Sequence, residues 1–176
     1  NKEVKNYLME FLSNDRLVSK SELEKISLLQ SSKENLLSLE EIKIVLNDVS
    51  STNLNKINES VMYGKTTSAS KTIYKVFSEG INAVAIIRSL INYTLRIQQT
   101  QIELKKQKDF DEAIKILKPP VFWKDKDSFR NHCSCWPMSH IEKNLKILLA
   151  AEYQCKSKST INVPICENAI LGIAHE

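Results

Sequence analysis

The sequence predicts an all-α protein, and three observations predict it. Apolar residues recur at i, i+3, i+4 and i+7 through most of the chain, which is helical spacing. No alternating apolar/polar run of strand length persists anywhere. Only 3 Gly and 4 Pro occur in 176 residues, too few turn-formers for a sandwich or barrel of many short strands. A hydrophobic share of 42% and a charged share of 26% are those of a globular chain that can bury its own core.

The elements follow in order. Tyr7, Leu8, Phe11 and Leu12 form a first apolar stripe, broken at Asn14 and Asp15. Leu17, Val18, Leu23, Ile26 and Leu29 make a second amphipathic helix, and 31–35 is a polar loop. Ser38 with Glu41 three residues on is a capping box. It opens a short helix over Ile42, Val45 and Leu46 that ends at Asn47 and Asp48. Residues 49–53 are short, polar and Ser-rich, and read as a domain boundary.

Beyond it, Ile57, Val61 and Met62 predict a helix ending near Gly64. Ile73, Tyr74, Val76 and Phe77 predict another, closed by Gly80 as a C-terminal cap. Asn82 opens the longest helix, with Val84, Ile87, Leu90, Ile91, Leu95, Ile97, Ile102 and Leu104. Its first half is apolar nearly all round, which predicts burial between several helices. The basic run over 105–108 suits its C-terminal end. Phe110, Ala113, Ile114 and Leu117 form a short helix stopped by Pro119 and Pro120. A helix over 122–135 follows. Pro137 fits the start of the next, with Ile141, Leu145, Leu148, Ala151 and Cys155 along it. A last helix begins near Pro164 and carries Ile165, Ala169, Ile170 and Ile173.

Several residues invite a chemical reading. Gly64-Lys65-Thr66 resembles the tail of a phosphate loop. Glu59 stands where the loop needs its first glycine, and a helix precedes it instead of a strand, so a helix–helix turn is favoured. His132, Cys133, Cys135, His140, Cys155 and Cys166 lack the paired spacing of a zinc site. Cys133 and Cys135 are two residues apart on one helix and point about 200° apart, so buried thiols are favoured. Cys133 with His140 has no glycine-rich oxyanion loop beside it. The acidic pairs Glu40-Glu41 and Asp111-Glu112, with Asp109, sit at helix starts, where the dipole favours them. No catalytic constellation, metal site or cofactor is expected.

The stretch 122–130 mixes aromatics with bases: Phe122, Trp123, Lys124, Lys126 and Arg130, with Phe129 among them. Such interleaving can stack bases and follow a phosphate backbone. A core role for the three aromatics is the favoured reading, because Asp125 and Asp127 dilute the positive field. A net charge of +4 permits contact with nucleic acid without requiring it. No secretory signal and no apolar run of about 18 residues is present. The chain therefore reads as cytoplasmic, with reduced thiols and no membrane contact.

The order of the pieces resembles a known family. Ser21-Glu22-Leu23-Glu24-Lys25-Ile26-Ser27-Leu28, then Leu39-Glu40-Glu41-Ile42-Lys43-Ile44-Val45-Leu46, are similar to runs in the delta subunits of bacterial DNA polymerase III clamp loaders. The helix between Gly64 and Gly80 and the apolar helix with Leu90, Tyr93 and Arg96 follow in the same order. Pro119-Pro120-Val121-Phe122-Trp123-Lys124 comes next, then Phe129, Trp136 and Leu145 through Glu152. Cys155-Lys156, Cys166 and Ile170-Leu171 complete a pattern that resembles the alpha-proteobacterial form.

The resemblance implies a fold and a role. Residues 1–49 would be the remainder of a small helical, lid-like middle domain. Residues 50–176 would be the helical collar domain that packs with other loader subunits. The family's clamp-binding N-terminal domain would be missing from this chain. The sliding clamp would then be reached only through that domain, and primed DNA only within the complex. The role is that of a subunit with no catalytic site, although the family carries a DNA-directed DNA polymerase assignment through the holoenzyme. Ile165, Ile170 and Ile173 are the expected subunit-interface residues. Phe122, Trp123, Lys124, Lys126 and Arg130 are the expected DNA contacts. The alternative is a stand-alone helical nucleic-acid-binding protein.

Overall fold

The computed structural model describes residues 4, 5, 7, 8, 16–33, 35–46, 49–106, 109–118, 120, 121 and 123–175. All the regular structure among them is helical. Phe11, Leu12, Asn14, Asp15, Asn47, Asp48, Pro119 and Phe122 lie outside the described residues, as do the side chains of Leu17, Val18 and Leu46. The chain forms two compact units. One is Asn1–Val49 with Lys118–Pro120, and the other is Ser50–Leu117 with Val121–Glu176.

In the first unit, α1 (Arg16–Ser31) packs on α2 (Leu39–Leu46). Leu37 and Ile42 are its buried hydrophobics among the described residues, with Tyr7, Leu8, Ile26 and Leu29 around them. The capping box read from the sequence is formed. The Ser38 backbone N–H donates to the Glu41 carboxylate at 2.9 Å, and the Glu41 N–H donates to Ser38 Oγ at 3.2 Å. Two amides at the helix start thereby gain acceptors. Lys33 and Ser38 together hold the Glu41 carboxyl down at about 2. The loop before α2 is tied to α1 by Gln30, whose Oε1 accepts from the Leu37 N–H at 3.0 Å.

The second unit begins at Ser50, within the polar stretch 49–53 that the sequence marks as a domain boundary. That stretch is helical and forms the first turns of α3 (Val49–Met62). Its Asn53 is buried and donates to the Glu79 carboxylate at 2.9 Å. Helix α4 (Thr66–Ser78) follows, then α5 (Ala83–Leu104), α6 (Phe110–Ala113) and a 3-10 turn Ile114–Ile116. A second 3-10 turn, Trp123–Asp125, leads into α7 (Lys126–Cys135). Helix α8 (Met138–Ser157), a third 3-10 turn Ser159–Ile161 and α9 (Asn162–Ala174) complete the chain.

The two predicted glycine stops are real, and both need a positive φ. Gly64 has φ 66° and Gly80 has φ 84°. In each, the next residue's N–H reaches back five positions, Lys65 to the Ser60 carbonyl and Ile81 to the Val76 carbonyl. These are Schellman closures, which need a left-handed residue that only glycine adopts without strain. Asn82 caps α5, accepting from the Ala85 N–H at 2.8 Å.

Helix α5 is the centre of this unit, packed against α6, α7, α8 and α9. Ile86, Ile87, Leu90, Ile91 and Ile97 are buried along it. Each contributes about 1.5–3 kcal/mol by leaving water. Buried Thr94 and Thr100 are satisfied locally, donating to the carbonyls four residues back at 2.8 and 2.9 Å. Two residues depart from the sequence reading: Leu95 and Ile102 face solvent. The helices α5 and α8 run antiparallel. Near the α5 start, Arg88 Nε donates to Glu152 at 2.7 Å. Near its end, Gln101 Nε2 donates to the carbonyls of Cys133 and Trp136, just before α8 begins.

Candidate functional site

The stretch expected to touch nucleic acid is split by the fold. A 3-10 turn places Trp123 on the surface with 69% of its area exposed. Phe129, six residues on, is only 2% exposed and sits in the core against Tyr93, ring edge to face at 5.7 Å. The favoured core role therefore holds for Phe129 and fails for Trp123. Burial leaves Phe129 no face for stacking. Phe122 and the Lys124 side chain lie outside the described residues.

The two remaining bases are already engaged. Lys126 Nζ donates to Asp111 at 3.2 Å, and Arg130 approaches the same carboxylate at 4.0 Å. Arg130 also lies over the Phe110 ring, 4.5 Å from its centroid. Asp111, read from the sequence as a helix-start residue, thus doubles as the counter-ion that fastens α6 to α7. The acidic start itself is capped: the Glu112 N–H donates to Asp109 at 2.7 Å. The surface pairs are weak, since solvent screens them. They nonetheless lower the positive field around Trp123.

Beneath this surface lies a polar cluster that the sequence did not signal. His132 is 1% exposed. Its Nδ1 pairs with Tyr93 Oη at 2.8 Å, and the Tyr63 ring meets it edge-on at 4.4 Å. Tyr63 Oη in turn pairs with Ser128 at 2.9 Å. His132 Nε2 is buried with no partner. Desolvation pushes the imidazole down to about 4, so the ring is neutral at ordinary pH. Desolvation also raises Tyr93, and it raises Glu59 with help from Asp125. Tyr93 and His132 are 39 residues apart, which no local spacing reveals.

The cysteines behave as small hydrophobes. Cys133 is buried and Cys135 exposed, as the helical angle between them requires. Burial pushes the thiols of Cys133 and Cys166 up to about 12, so neither is a thiolate nucleophile. His140 lies beside Trp136, ring centroids 6.4 Å apart. No group of three metal-ligating side chains converges among the described residues. Gly64-Lys65-Thr66 is the turn between α3 and α4, with its glycine in the left-handed region and a helix before it. It borders a shallow groove along Lys65, Thr67, Lys71 and Thr72.

The expected subunit-interface residues need correction on burial. Ile170 and Ile173 are 0% and 1% exposed. They are spent inside the unit's own core, where α9 packs on α4, α5 and α8. Ile165 is half-buried against the same core. Neither Ile170 nor Ile173 offers a free apolar surface. No helix among the described residues is long and apolar enough to cross a membrane.

Comparison with known proteins gives a structural result. No family model matches the chain, and no curated protein matches it in sequence. Among solved structures, the chain is similar to the Bacillus subtilis DNA clamp loader delta protein (YqeN), with a TM-score of 0.65 at 13% identity. The match covers 100% of this chain and 51% of that one, so the chain spans about half the length of its structural relative. At this identity the likeness concerns the fold: the chain has a clamp-loader delta-like, all-helical fold. An affiliation with the alpha-proteobacterial form finds no support in it.

Proposed function

We propose that this chain is a non-catalytic, delta-type subunit of a bacterial DNA polymerase III clamp loader. It acts through assembly with other loader subunits. The observation that carries the reading is the fold likeness to a clamp-loader delta protein over the whole of this chain. The order of sequence motifs supports it independently, and the same order is the basis for an alpha-proteobacterial affiliation. On this reading residues 50–176 are the collar domain and residues 1–49 the remainder of the middle domain, in the cytoplasm. Clamp binding is assigned to no residue of this chain. Contact with primed DNA inside the complex falls to Trp123, flanked by Lys124, Lys126 and Arg130.

The test is assembly. The chain is mixed with purified loader subunits of its own organism and with the sliding clamp, and stoichiometry is read by size-exclusion light scattering. Incorporation into a mixed complex, without binding to the clamp alone, is the expected result. Failure to associate with any loader subunit overturns the reading. The second reading, a stand-alone nucleic-acid binder, is favoured by one observation, the exposed Trp123. It requires the isolated chain to bind single-stranded or primed DNA with an affinity that falls steeply with salt and weakens in Trp123→Ala.

A further inference from the structure

Helix α8 breaks the rule of its own amphipathicity. Its inner face carries Ile141, Leu148, Ala151 and Cys155, all buried. The opposite face of a packed helix should be polar. Here its C-terminal half presents Leu149, Ala150 and Tyr153, with Leu149 53% and Tyr153 73% exposed. They are three and four residues apart, so they form one patch and not scattered singles. The antiparallel run of α5 beside α8 extends this patch. Taking the Arg88–Glu152 ion pair as the register, seven residues along each helix bring Leu95 level with Leu145. Leu95 is 38% exposed, and Leu145 is half-buried against the core. Two neighbouring helices therefore share one apolar strip.

The rim of the strip is charged with a definite sign. Glu152 is held by both Arg88, at 2.7 Å, and Lys156, at 2.6 Å. Two bases on one acid leave a positive balance. Lys146 adds to it on the exposed face one turn before Leu149–Ala150, and Glu142 at the far end offsets one charge. The rim stays net basic. An apolar strip with a basic rim fits an amphipathic helix whose apolar residues are flanked by Asp and Glu.

We infer that the α5–α8 face, centred on Leu149 and Tyr153, is the surface on which another clamp-loader subunit docks an acid-flanked helix. This rests on the proposed function and assigns the docking surface that the buried Ile170 and Ile173 cannot supply. Burying two large, exposed side chains at the centre of a contact is what makes an interface residue costly to replace.

The test uses the full chain and three variants. Leu149→Asp with Tyr153→Asp, in one chain, should weaken association with loader subunits by about tenfold or more, the effect of losing roughly 1.4 kcal/mol of binding. Lys146→Glu should weaken it less and should flatten its salt dependence. A control, Tyr74→Asp, alters an exposed tyrosine on α4 and should bind as wild type. Far-ultraviolet circular dichroism and melting confirm that each variant folds, which is expected for exposed positions. If the wild type joins the loader and the double variant joins equally well, the docking face is wrong while the functional reading stands. If the wild type joins no loader subunit, both fall. If the wild type instead forms a homo-oligomer that the double variant dissolves, the strip is covered by a second copy and the assignment to another subunit is overturned.

Discussion

Acidification should destabilise this protein through His132, and the magnitude can be worked out. The ring is 1% exposed, bonded at Nδ1 to Tyr93 and unpartnered at Nε2. Burial lowers its pKa from 6.5 to about 4. The unfolded chain therefore takes up a proton on this residue at a pH where the folded chain refuses it. Stability from the neutral ring is fully present above pH 6.5 and is lost as pH falls from 6.5 to about 4. At about 1.36 kcal/mol per pKa unit, the whole loss is about 3 kcal/mol. Carboxylates titrate in the same window, so the wild-type curve alone does not isolate the effect. The comparison is with His132→Gln, which keeps a polar partner for Tyr93 and removes the titration. Urea unfolding at a series of pH values gives both curves. The wild type should lose stability faster on acidification, by up to about 1.36 kcal/mol per pH unit near the middle of the window. Parallel curves for wild type and variant would refute the argument, because they would mean that His132 binds its proton equally well in both states.

Other perturbations have equally definite outcomes. Asn144 on α8 is 1% exposed, and neither side-chain polar atom has a partner. Asn144→Leu should raise stability by about 1–3 kcal/mol in chemical denaturation, since it removes unsatisfied buried polar atoms; a loss of stability would mean the amide is satisfied internally. Trp136→Phe should cost about 1–3 kcal/mol, because the indole N–H donates at 2.8 Å to the buried Met62 carbonyl and that acceptor would be orphaned; an unchanged midpoint contradicts this. Gly64→Ala and Gly80→Ala should each destabilise by about 1–2 kcal/mol through left-handed strain, because both positions hold a positive φ and an added Cβ meets at most an ordinary contact. An unchanged melting temperature in either variant would sink that reasoning. Ser38→Ala should cost about 1 kcal/mol by removing the cap of α2, read as a lower denaturation midpoint.

The sequence by itself determined the class of fold and most element boundaries. The capping box at Ser38 and Glu41, the Asn82 cap and the stops at Gly64 and Gly80 are each set within about five residues. Local spacing and backbone sterics suffice to read them. The same locality limits the reading at 49–53: the two units divide there, yet the run is helical, which a polar, Ser-rich composition alone does not reveal. Only the tertiary structure decided which side of each helix is spent on the core. Ile170 and Ile173 looked like surplus apolar surface, yet α9 is enclosed by three other helices and uses both. Leu95 and Ile102 counted among the apolar positions of the longest helix, yet they face outward. Phe129 and Trp123 share one short motif, and the turn between them sends one inside and one out. The buried His132, bonded to Tyr93 and covered by the partly exposed Tyr63 ring, joins three elements distant in sequence. Burial, ion pairing and the pKa of a buried imidazole depend on what arrives from elsewhere in the chain, and residue spacing along a helix carries no record of that.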